Sequence, residues 1–276
     1  ASDVYKRQIL RKFIKKGYRM QLTFEQLEQF QKDGFLILPD VFDRREIQRL
    51  RRRLPDLFAQ ETPANIREKH SKEVRSAMAL HERDELYKRL VRHPRLIKPA
   101  RQILGDDIYI QQVKVNVKSA FGGDLWQWHY DFATHHADDG VQEPLALNLH
   151  IFLADVNEYN GPLYFIPGSH KLGPLPATLD TVTTSYPLWV ANKENIAASI
   201  EEKGIVSATG TAGTLLIFGD YLVHGSPPNM SPWERPIFSL IVNPISNAPT
   251  KYQRPDYIHH RNITAVSPLS DDCLLD

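Results

Sequence analysis

Residues 107–118, "DIYIQQVKVNVK", alternate apolar and polar side chains with a period of two. An alternation of this kind is typical of a β-strand with one buried face. The same rhythm recurs in "LALNLHIFLADV" (145–156), "GTLLIFGDYLVHG" (213–225) and "PIFSLIVNPIS" (236–246). Short strands separated by turns, with few helices between them, favour a sandwich or jelly roll over a parallel α/β sheet. The sequence therefore predicts a mainly β fold with flanking helices and a jelly roll at about 106–246.

The residues before this β region show helical patterns. "TFEQLEQFQKDG" (23–34) combines a capping-box start with a terminal glycine, and "DRREIQRLRRRLPDLFAQE" (43–61) begins at an aspartate that can cap a helix. The predicted elements are helices at 23–34, 43–61, 84–92 and 94–104 and a buried strand followed by a turn at 35–42. We therefore expect a helical part over about 20–105.

Three further stretches complete the predicted organisation. Residues 172–203 form a long insertion, with a short helix near 196–203, of the kind that often serves as a lid or binding loop. Residues 247–276 form a C-terminal tail, and 20–276 are expected to be one domain. Residues 1–19 carry seven Lys and Arg and are expected to be a non-native or disordered extension.

Composition limits the class of partner. The chain has 34 basic and 33 acidic residues, a formal charge of +1, which gives no reason to expect nucleic acid or an acidic membrane. The single cysteine, Cys273, cannot form an internal disulfide, and no apolar run of about 18 residues is present. We expect a cytoplasmic protein, a monomer or homodimer, that binds a small molecule.

His129 and Asp131 form an H-x-D pair inside "LWQWHYDFATHHADDG" (125–140). On a β-strand, residues two apart point to the same face, so both side chains could bind one ion. Two histidines and one carboxylate form the facial triad of non-haem iron oxygenases, although the same set also binds zinc with a water. The pair alone equally fits a surface contact, so a third ligand is needed to decide.

His224 follows the strand at 213–225, and a jelly roll could return it to the strand that carries the H-x-D pair. Eleven residues later, Arg235 enters the next predicted strand. A guanidinium group recognises a carboxylate through two parallel hydrogen bonds, although Arg235 alone fits a surface ion pair better. Jointly, the H-x-D pair, His224 and Arg235 predict an iron site that uses 2-oxoglutarate.

The chain resembles the phytanoyl-CoA dioxygenase family of Fe(II)/2-oxoglutarate oxygenases, in the branch of ectoine 5-hydroxylase and bacterial L-proline trans-4-hydroxylase. The matching segments are "RHPRLIKPARQILG" (92–105), "QQVKVNVK" (111–118), "WQWHYDFATHHADDG" (126–140), "NGPLYFIPGSHK" (160–171) and "LVHGSPPNMSPWER" (222–235). The likeness spans residues 21–276. It implies a double-stranded β-helix, a cupin-like jelly roll, with a helical N-terminal part.

The resemblance also implies roles for individual residues. It makes His129, Asp131 and His224 the iron ligands and catalytic centre, and Arg235 the partner of the distal 2-oxoglutarate carboxylate. Further 2-oxoglutarate contacts are expected from Ser226, Lys114, Asn116 and Trp126. Substrate contacts are expected from Gln112, His135, Phe218 and Arg254, with Trp128 and Trp189 as further pocket aromatics.

Some positions depart from the ectoine enzymes. Their "DFETWH" is "DFATHH" here, so His135 replaces a substrate-packing tryptophan, and Lys114 stands where they have arginine. These departures argue against ectoine itself as the substrate. Three further histidines are expected to shape the pocket (His136), to lie outside the metal site (His170) and to form a hydrogen bond inside the barrel (His150). The "DDG" at 138–140 is expected to be a loop or capping feature.

The expected activity is hydroxylation of an unactivated C–H bond, with Fe(II), 2-oxoglutarate and O₂ consumed and succinate and CO₂ released. Ascorbate is expected to help in vitro. The expected substrate is a small polar or zwitterionic molecule, such as free proline or a compatible solute, because the pocket mixes aromatic and polar groups. Two alternatives stay open. One is an aminophosphonate hydroxylase of the same family, and the other is a non-catalytic, metal-dependent jelly-roll binding protein.

Overall fold

The computed structural model describes residues 21–276. The expectation for residues 1–19 concerns a segment outside this range. The helices are α1 (Phe24–Asp33), α2 (Arg44–Ala59), α3 (Leu80–Arg83), α4 (Glu85–Leu90), α5 (Pro94–Leu104), α6 (Asp131–Asp139) and α7 (Lys193–Lys203). The strands are β1 (Phe35–Leu38), β2 (Asn65–Arg67), β3 (Val74–Met78), β4 (Ile108–Asn116), β5 (Trp126–His129), β6 (Leu147–Phe152), β7 (Leu163–Phe165), β8 (Ala177–Asp180), β9 (Leu188–Ala191), β10 (Val206–Ala208), β11 (Leu215–Gly219), β12 (His224–Ser226) and β13 (Ile237–Pro244).

Two antiparallel sheets form the jelly roll. The larger has seven strands in the order β1-β11-β6-β13-β4-β3-β2, and the smaller has four in the order β10-β7-β12-β5. Their strands pair in an antiparallel sense, as between β13 and β4 or β12 and β5. The predicted mainly β fold with a jelly-roll core is confirmed.

The strand β4 shows how the sheet positions a site. Val113 and Val115 point to one face, where they join the apolar core beneath the helices. Gln112, Lys114 and Asn116 point to the other face and line a cavity. Because side chains alternate across a strand, one nine-residue segment supplies both core packing and cavity polarity.

The helical part packs on the outer face of the large sheet. Ile47 and Leu50 of α2 and Ile97 of α5 are buried in one cluster with Leu149 of β6 and Leu240 of β13. Burial of each such side chain stabilises the fold by roughly 1.5–3 kcal/mol. A second cluster, which includes Phe152, Phe165 and Phe218, fills the space between the two sheets.

Caps confirm the predicted starts of α1 and α2 and the predicted end of α1. Thr23 and Gln26 form a reciprocal capping box at the start of α1, and Gly34 ends the helix at φ 87°. Asp43 accepts hydrogen bonds from the backbone N–H groups of Arg45 and Glu46 at the start of α2. These caps satisfy backbone groups that a helix end leaves without partners.

Two predictions of local structure need correction. Residues 213–225 are not one strand: β11 lies in the large sheet and β12 in the small one, so the chain crosses between sheets after Gly219. The part predicted as helical also contains β2 and β3, which extend the large sheet beyond β4. Non-local pairing decides both cases, and a sequence window does not contain that information.

The insertion at 172–203 is more ordered than its sequence indicates. It contains the hairpin of β8 and β9, paired through Leu179 and Trp189, followed by α7. This helix begins at Lys193, three residues before the predicted start, with Asn192 as its cap. Tyr186 and Leu188 from this insertion line the cavity, as expected for a binding loop.

Within residues 21–276, no helix combines the length and the apolar character needed to cross a membrane.

Candidate active site

One cavity is lined by residues of both sheets, of α6 and of the C-terminal tail. Three side chains meet at one point in its wall. They belong to His129 at the end of β5, Asp131 at the start of α6 and His224 at the start of β12. His129 and His224 are directly opposite each other in the antiparallel pairing of β5 and β12. The strand register therefore brings the two imidazoles together, with ring centroids 4.1 Å apart.

The carboxylate of Asp131 faces both imidazoles. Its Oδ1 lies 3.6 Å from Nε2 of His129 and 4.0 Å from Nε2 of His224. The prediction that Asp131 lies on a strand was wrong, because Asp131 is the first residue of α6. Tyr130 between the two residues is nevertheless extended, at φ −131° and ψ 138°, and this conformation keeps the neighbouring side chains on one side.

Hydrogen bonds orient all three side chains. The carbonyl oxygen of Gln127 lies 2.6 Å from Nδ1 of His129, and that of Leu222 lies 2.9 Å from Nδ1 of His224. A carbonyl can only accept, so Nδ1 carries the proton in both rings and Nε2 keeps its lone pair. Asn148 Nδ2 donates to Oδ2 of Asp131 at 2.8 Å, which leaves Oδ1 for another partner.

Protonation states agree with a metal-binding role. Burial lowers the pKa of His224 to about 4, with a further contribution from His129, so its ring is neutral at pH 7. Burial alone would raise the pKa of Asp131, but its interactions with His224 and His129 hold it well below its usual range. Two imidazoles and one carboxylate are a donor set that fits Fe(II) with open positions.

Arg235 lies in the same cavity and is buried, with 1% of its surface exposed. Its Nε has no hydrogen-bond partner within residues 21–276, and its Nη2 lies 3.5 Å from Oγ of Ser226. Burial lowers the pKa of Arg235 to about 9, and the nearby charge of Arg75 adds to this. A buried guanidinium with an unused donor fits a carboxylate ligand.

The other residues predicted to contact 2-oxoglutarate also line the cavity. They are Ser226, Lys114, Asn116 and Trp126. Burial lowers the pKa of Lys114 to about 8, and its Nζ lies 5.9 Å from the centre of the Trp126 ring. The hydroxyl of Ser226 donates to the carbonyl of Gly161 at 3.0 Å. The hydroxyl of Ser76 donates to Oδ1 of Asn116 at 2.7 Å.

The four residues predicted to contact substrate line the cavity as well: Gln112, His135, Phe218 and Arg254. Phe218 lies beside the triad, with its ring centroid 4.9 Å from that of His224. Arg254 is held by a two-bond contact with the buried carboxylate of Asp139, in which its Nε donates to Oδ1 at 2.9 Å. His135 is held by Asp220, at 2.8 Å.

The family model described as "Phytanoyl-CoA dioxygenase (PhyH)" matches residues 30–237, which is most of the chain. The chain belongs to the phytanoyl-CoA dioxygenase family. It is 34% identical over 259 residues to L-proline trans-4-hydroxylase of Streptomyces griseoviridis, with coverage of 89% of this chain and 96% of that protein. It is 35% identical over 265 residues to ectoine dioxygenase of Bordetella bronchiseptica, with coverage of 90% and 86%.

Solved structures agree with this membership of the phytanoyl-CoA dioxygenase family. The apo crystal structure of EctD from S. alaskensis matches with a TM-score of 0.80 and 32% identity, over 92% of this chain and 89% of that one. The structures of the same protein with bound Fe and with 2-oxoglutarate and 5-hydroxyectoine each match with a TM-score of 0.79. The cupin-like jelly roll is therefore shared with this relative.

One histidine that was predicted to shape the pocket of this phytanoyl-CoA dioxygenase family member lies outside it. His136 is exposed, and its Nδ1 donates to the carbonyl of Val141 at 2.8 Å, so the prediction that it shapes the pocket was wrong. It lies next to His135 on a helix, and adjacent helical residues point in different directions. His170 lies outside the cavity, near the carbonyl of Gln31. His150 contacts Ser239 at 2.9 Å, as predicted, and also lines the cavity.

Two predicted pocket aromatics are not among the residues that line the cavity. Trp128 packs instead against the small apolar cluster of Ile166 and Ala191. Trp189 lies on β9 with its side chain away from the cavity lining, whereas Leu188 beside it does reach the cavity. The alternation along β9 explains the difference between these neighbours.

Sequence reasoning missed several residues of this site. Tyr186 packs edge-on against Trp126, with ring centroids 5.3 Å apart, and closes one side of the cavity. Asp220, Asp139 and Asn148 hold His135, Arg254 and Asp131 in position. Among these residues, only Tyr186 could have been found from the sequence, because it is an aromatic residue in a long insertion. The carboxylate partners lie far along the chain from the residues that they hold.

Proposed function

We propose that this protein is an Fe(II)- and 2-oxoglutarate-dependent dioxygenase that hydroxylates a small polar or zwitterionic molecule and releases succinate and CO₂. The observation that carries the proposal is one cavity that contains both the cluster of two histidines and one carboxylate and a buried arginine with an unused donor. The first feature fits Fe(II), and the second fits a co-substrate with a distal carboxylate. L-proline trans-4-hydroxylase and ectoine dioxygenase, as relatives, support the reaction class.

In this proposal, His129, Asp131 and His224 hold the metal. Bound Fe(II) supplies the oxidative chemistry, with 2-oxoglutarate and O₂ as co-substrates. The protein supplies two imidazoles, oriented by the carbonyls of Gln127 and Leu222, and a carboxylate oriented by Asn148. This orientation leaves little rearrangement for the ligands when metal binds.

Arg235 is the proposed partner of the distal 2-oxoglutarate carboxylate. The carboxylate would use the donor that lacks a partner and would compensate a buried charge. Ser226 stays near this guanidinium because its hydroxyl is already bound to the carbonyl of Gly161. Lys114 would add a second positive charge, with Trp126 as an apolar wall and Asn116 as a further polar contact.

The proposed substrate contacts are Gln112, His135, Phe218 and Arg254. Arg254 and His135 are each held from behind by a buried carboxylate, so their remaining N–H groups can bind an acidic group of the substrate. Gln112 donates through Nε2 to the carbonyl of Ile258 at 2.9 Å, which leaves its side-chain oxygen for a substrate ammonium. Phe218 supplies an apolar surface for the carbon skeleton.

We propose a free amino acid such as proline, or a related compatible solute, as the substrate. An ammonium and a carboxylate attached to a short carbon skeleton match the polar and apolar parts of this wall. Ectoine fits less well, because a histidine that pairs with Asp220 occupies the position of an apolar tryptophan. The protein would exclude water from the reaction through Tyr186 and Leu188, which cover the cavity.

An aminophosphonate is the second candidate substrate. Three cationic side chains, Lys114, His135 and Arg254, line the cavity together, and a phosphonate has more negative charge than a carboxylate. A non-catalytic binding protein remains the contrasting proposal. Such a protein would bind the metal and 2-oxoglutarate but would form no succinate, whether or not a candidate substrate is present.

The experiment loads the full chain with Fe(II) under anaerobic conditions and adds 2-oxoglutarate, O₂ and ascorbate with a panel of free amino acids, ectoine and aminophosphonates. We expect succinate to form with a compound that gains the mass of one oxygen atom. The matched control is D131A, which should make neither succinate nor hydroxylated product. Zinc in place of iron should give no succinate. Absence of both iron and 2-oxoglutarate binding in the unaltered chain would refute the enzyme proposal.

A further inference from the structure

A second group of metal-binding side chains lies outside the cavity. His81 and Glu82 belong to the one-turn helix α3, and His260 belongs to the C-terminal tail. One ligand atom of each residue lies within 4.8 Å of those of the other two. Nδ1 of His260 is 3.2 Å from Oε1 of Glu82, and the two imidazole rings are 4.7 Å apart. None of the three residues lines the cavity.

His81 is the unusual member of this group. It is 7% exposed, and neither of its ring nitrogens has a hydrogen-bond partner within residues 21–276. Buried polar atoms are almost always paired, and an unsatisfied one costs about 1–3 kcal/mol. Burial lowers the pKa of His81 to about 3, with a smaller effect from His260. The ring is therefore neutral at pH 7 and offers a lone pair to a ligand.

We propose that His81, Glu82 and His260 form a second metal site, selective for Zn²⁺ or a similar divalent transition metal and separate from the iron site. Two imidazoles and one carboxylate are suitable ligands, and solvent water can fill the fourth position. Ligands of one tetrahedral zinc lie about 3.3 Å apart, so closure from separations of up to 4.8 Å needs a movement of at most roughly 1.5 Å. Glu82, with 54% of its side chain exposed, is free to make that movement.

The proposed site joins the helical part of the chain to residues 250–266, a segment of the C-terminal tail that contributes to the cavity wall. The backbone N–H of His260 donates to the carbonyl of Gln111 at 2.9 Å. Two residues earlier, the carbonyl of Ile258 accepts from Gln112, a cavity residue. Arg254 of the same segment lines the cavity. A bound ion would therefore hold residues 250–266 in place without contact with the substrate.

The test uses full-length, metal-free chain dialysed against Zn²⁺ and measured by elemental analysis. H129A serves as the background, because it disables the site in the cavity. We expect H129A to retain about one zinc per chain, and H129A/E82Q and H129A/H260Q to retain almost none. H129A/H70Q is the matched control, because His70 is an exposed histidine outside the group, and it should retain the ion.

Two further measurements separate a metal site from a structural effect. Zinc X-ray absorption of H129A should show imidazole ligands, which H129A/H260Q should lack. Hydrogen exchange of residues 250–266 should slow on addition of Zn²⁺ to H129A and remain unchanged in H129A/E82Q, whose substitution is on an exposed side chain. The proposal is overturned if H129A binds no zinc, which would mean that water satisfies His81, or if both double variants still bind it. Because H129A lacks a complete iron site, neither result bears on the oxygenase proposal.

Discussion

Nδ1 of His135 lies 2.8 Å from Oδ1 of Asp220, and both side chains are buried. Burial and nearby carboxylates raise the pKa of Asp220, against the opposing effect of His135. Burial alone would lower the pKa of His135, but the charge of Asp220 raises it above its usual value. The two groups thus stabilise each other as an ion pair, and Nε2 of His135 is the ring nitrogen left for a ligand in the cavity.

This pair predicts a pH-dependent stability. Folding raises the pKa of His135 above 6.5, so its contribution is fully present below pH 6.5 and is lost as pH rises through the folded-state pKa. We expect D220N to lower the free energy of unfolding by about 3 kcal/mol near pH 6, and by less at alkaline pH. Urea unfolding of the metal-free protein across this range measures the difference. D56N, at an exposed aspartate, is the control, and a D220N effect independent of pH would contradict the prediction.

The burial of Arg235 predicts that its substitution weakens 2-oxoglutarate binding but does not lower the stability of the ligand-free protein. R235K keeps a charge but loses the planar pair of donors, so we expect the Kd of 2-oxoglutarate to rise roughly 10- to 100-fold, and more in R235Q. Without ligand, R235Q should be at least as stable as the unaltered chain, because it removes a buried charge with an unused donor. Anaerobic calorimetry and thermal unfolding measure the two effects. R51Q, at an exposed arginine, is the control, and an unchanged Kd in R235Q would contradict the assignment.

The lowered pKa of Lys114 predicts that 2-oxoglutarate binding weakens at alkaline pH. Burial lowers its pKa to about 8, so the free protein loses this positive charge as pH rises through 8. We expect kcat/KM for 2-oxoglutarate to fall above about pH 8, because this parameter reports ionisation in the free enzyme. Initial rates between pH 6.5 and 9.5, with 2-oxoglutarate varied, provide the measurement. K114M should be slower at pH 7 and should lack that fall, whereas an identical profile in K114M would exclude Lys114 as its origin.

The contact between Asn148 and Asp131 predicts that substitution of Asn148 weakens iron binding although all three metal ligands remain. Its Nδ2 fixes Oδ2 of Asp131 at 2.8 Å, and loss of such an orienting contact weakens metal binding by roughly 10- to 100-fold. We expect N148A to bind Fe(II) more weakly in anaerobic titrations and to recover activity at high Fe(II). N262A, at an exposed asparagine of the tail, should bind as the unaltered chain does. Equal iron affinity in N148A would show that Asp131 is oriented without this contact.

The strand β4, the helix caps and the H-x-D pair were predictable because their signals are local. The alternation in 107–118 shows which side chains of β4 face the core and which face the cavity, and Thr23 with Gln26 marks the start of α1. His129 and Asp131 are two residues apart, and the extended conformation of Tyr130 between them is enough to bring them together. A short window of sequence contains this information.

The tertiary structure alone decided which distant groups become partners. The register between β5 and β12 sets His224 opposite His129, and the crossing of the chain after Gly219 buries Asp220 against His135. His136 faces the surface, although its sequence neighbour His135 lines the cavity. The sequence by itself determined the class of chemistry, through the residue types and their local spacing. The fold determined the charge and orientation of those residues, because burial and strand register depend on contacts between segments far apart in the chain.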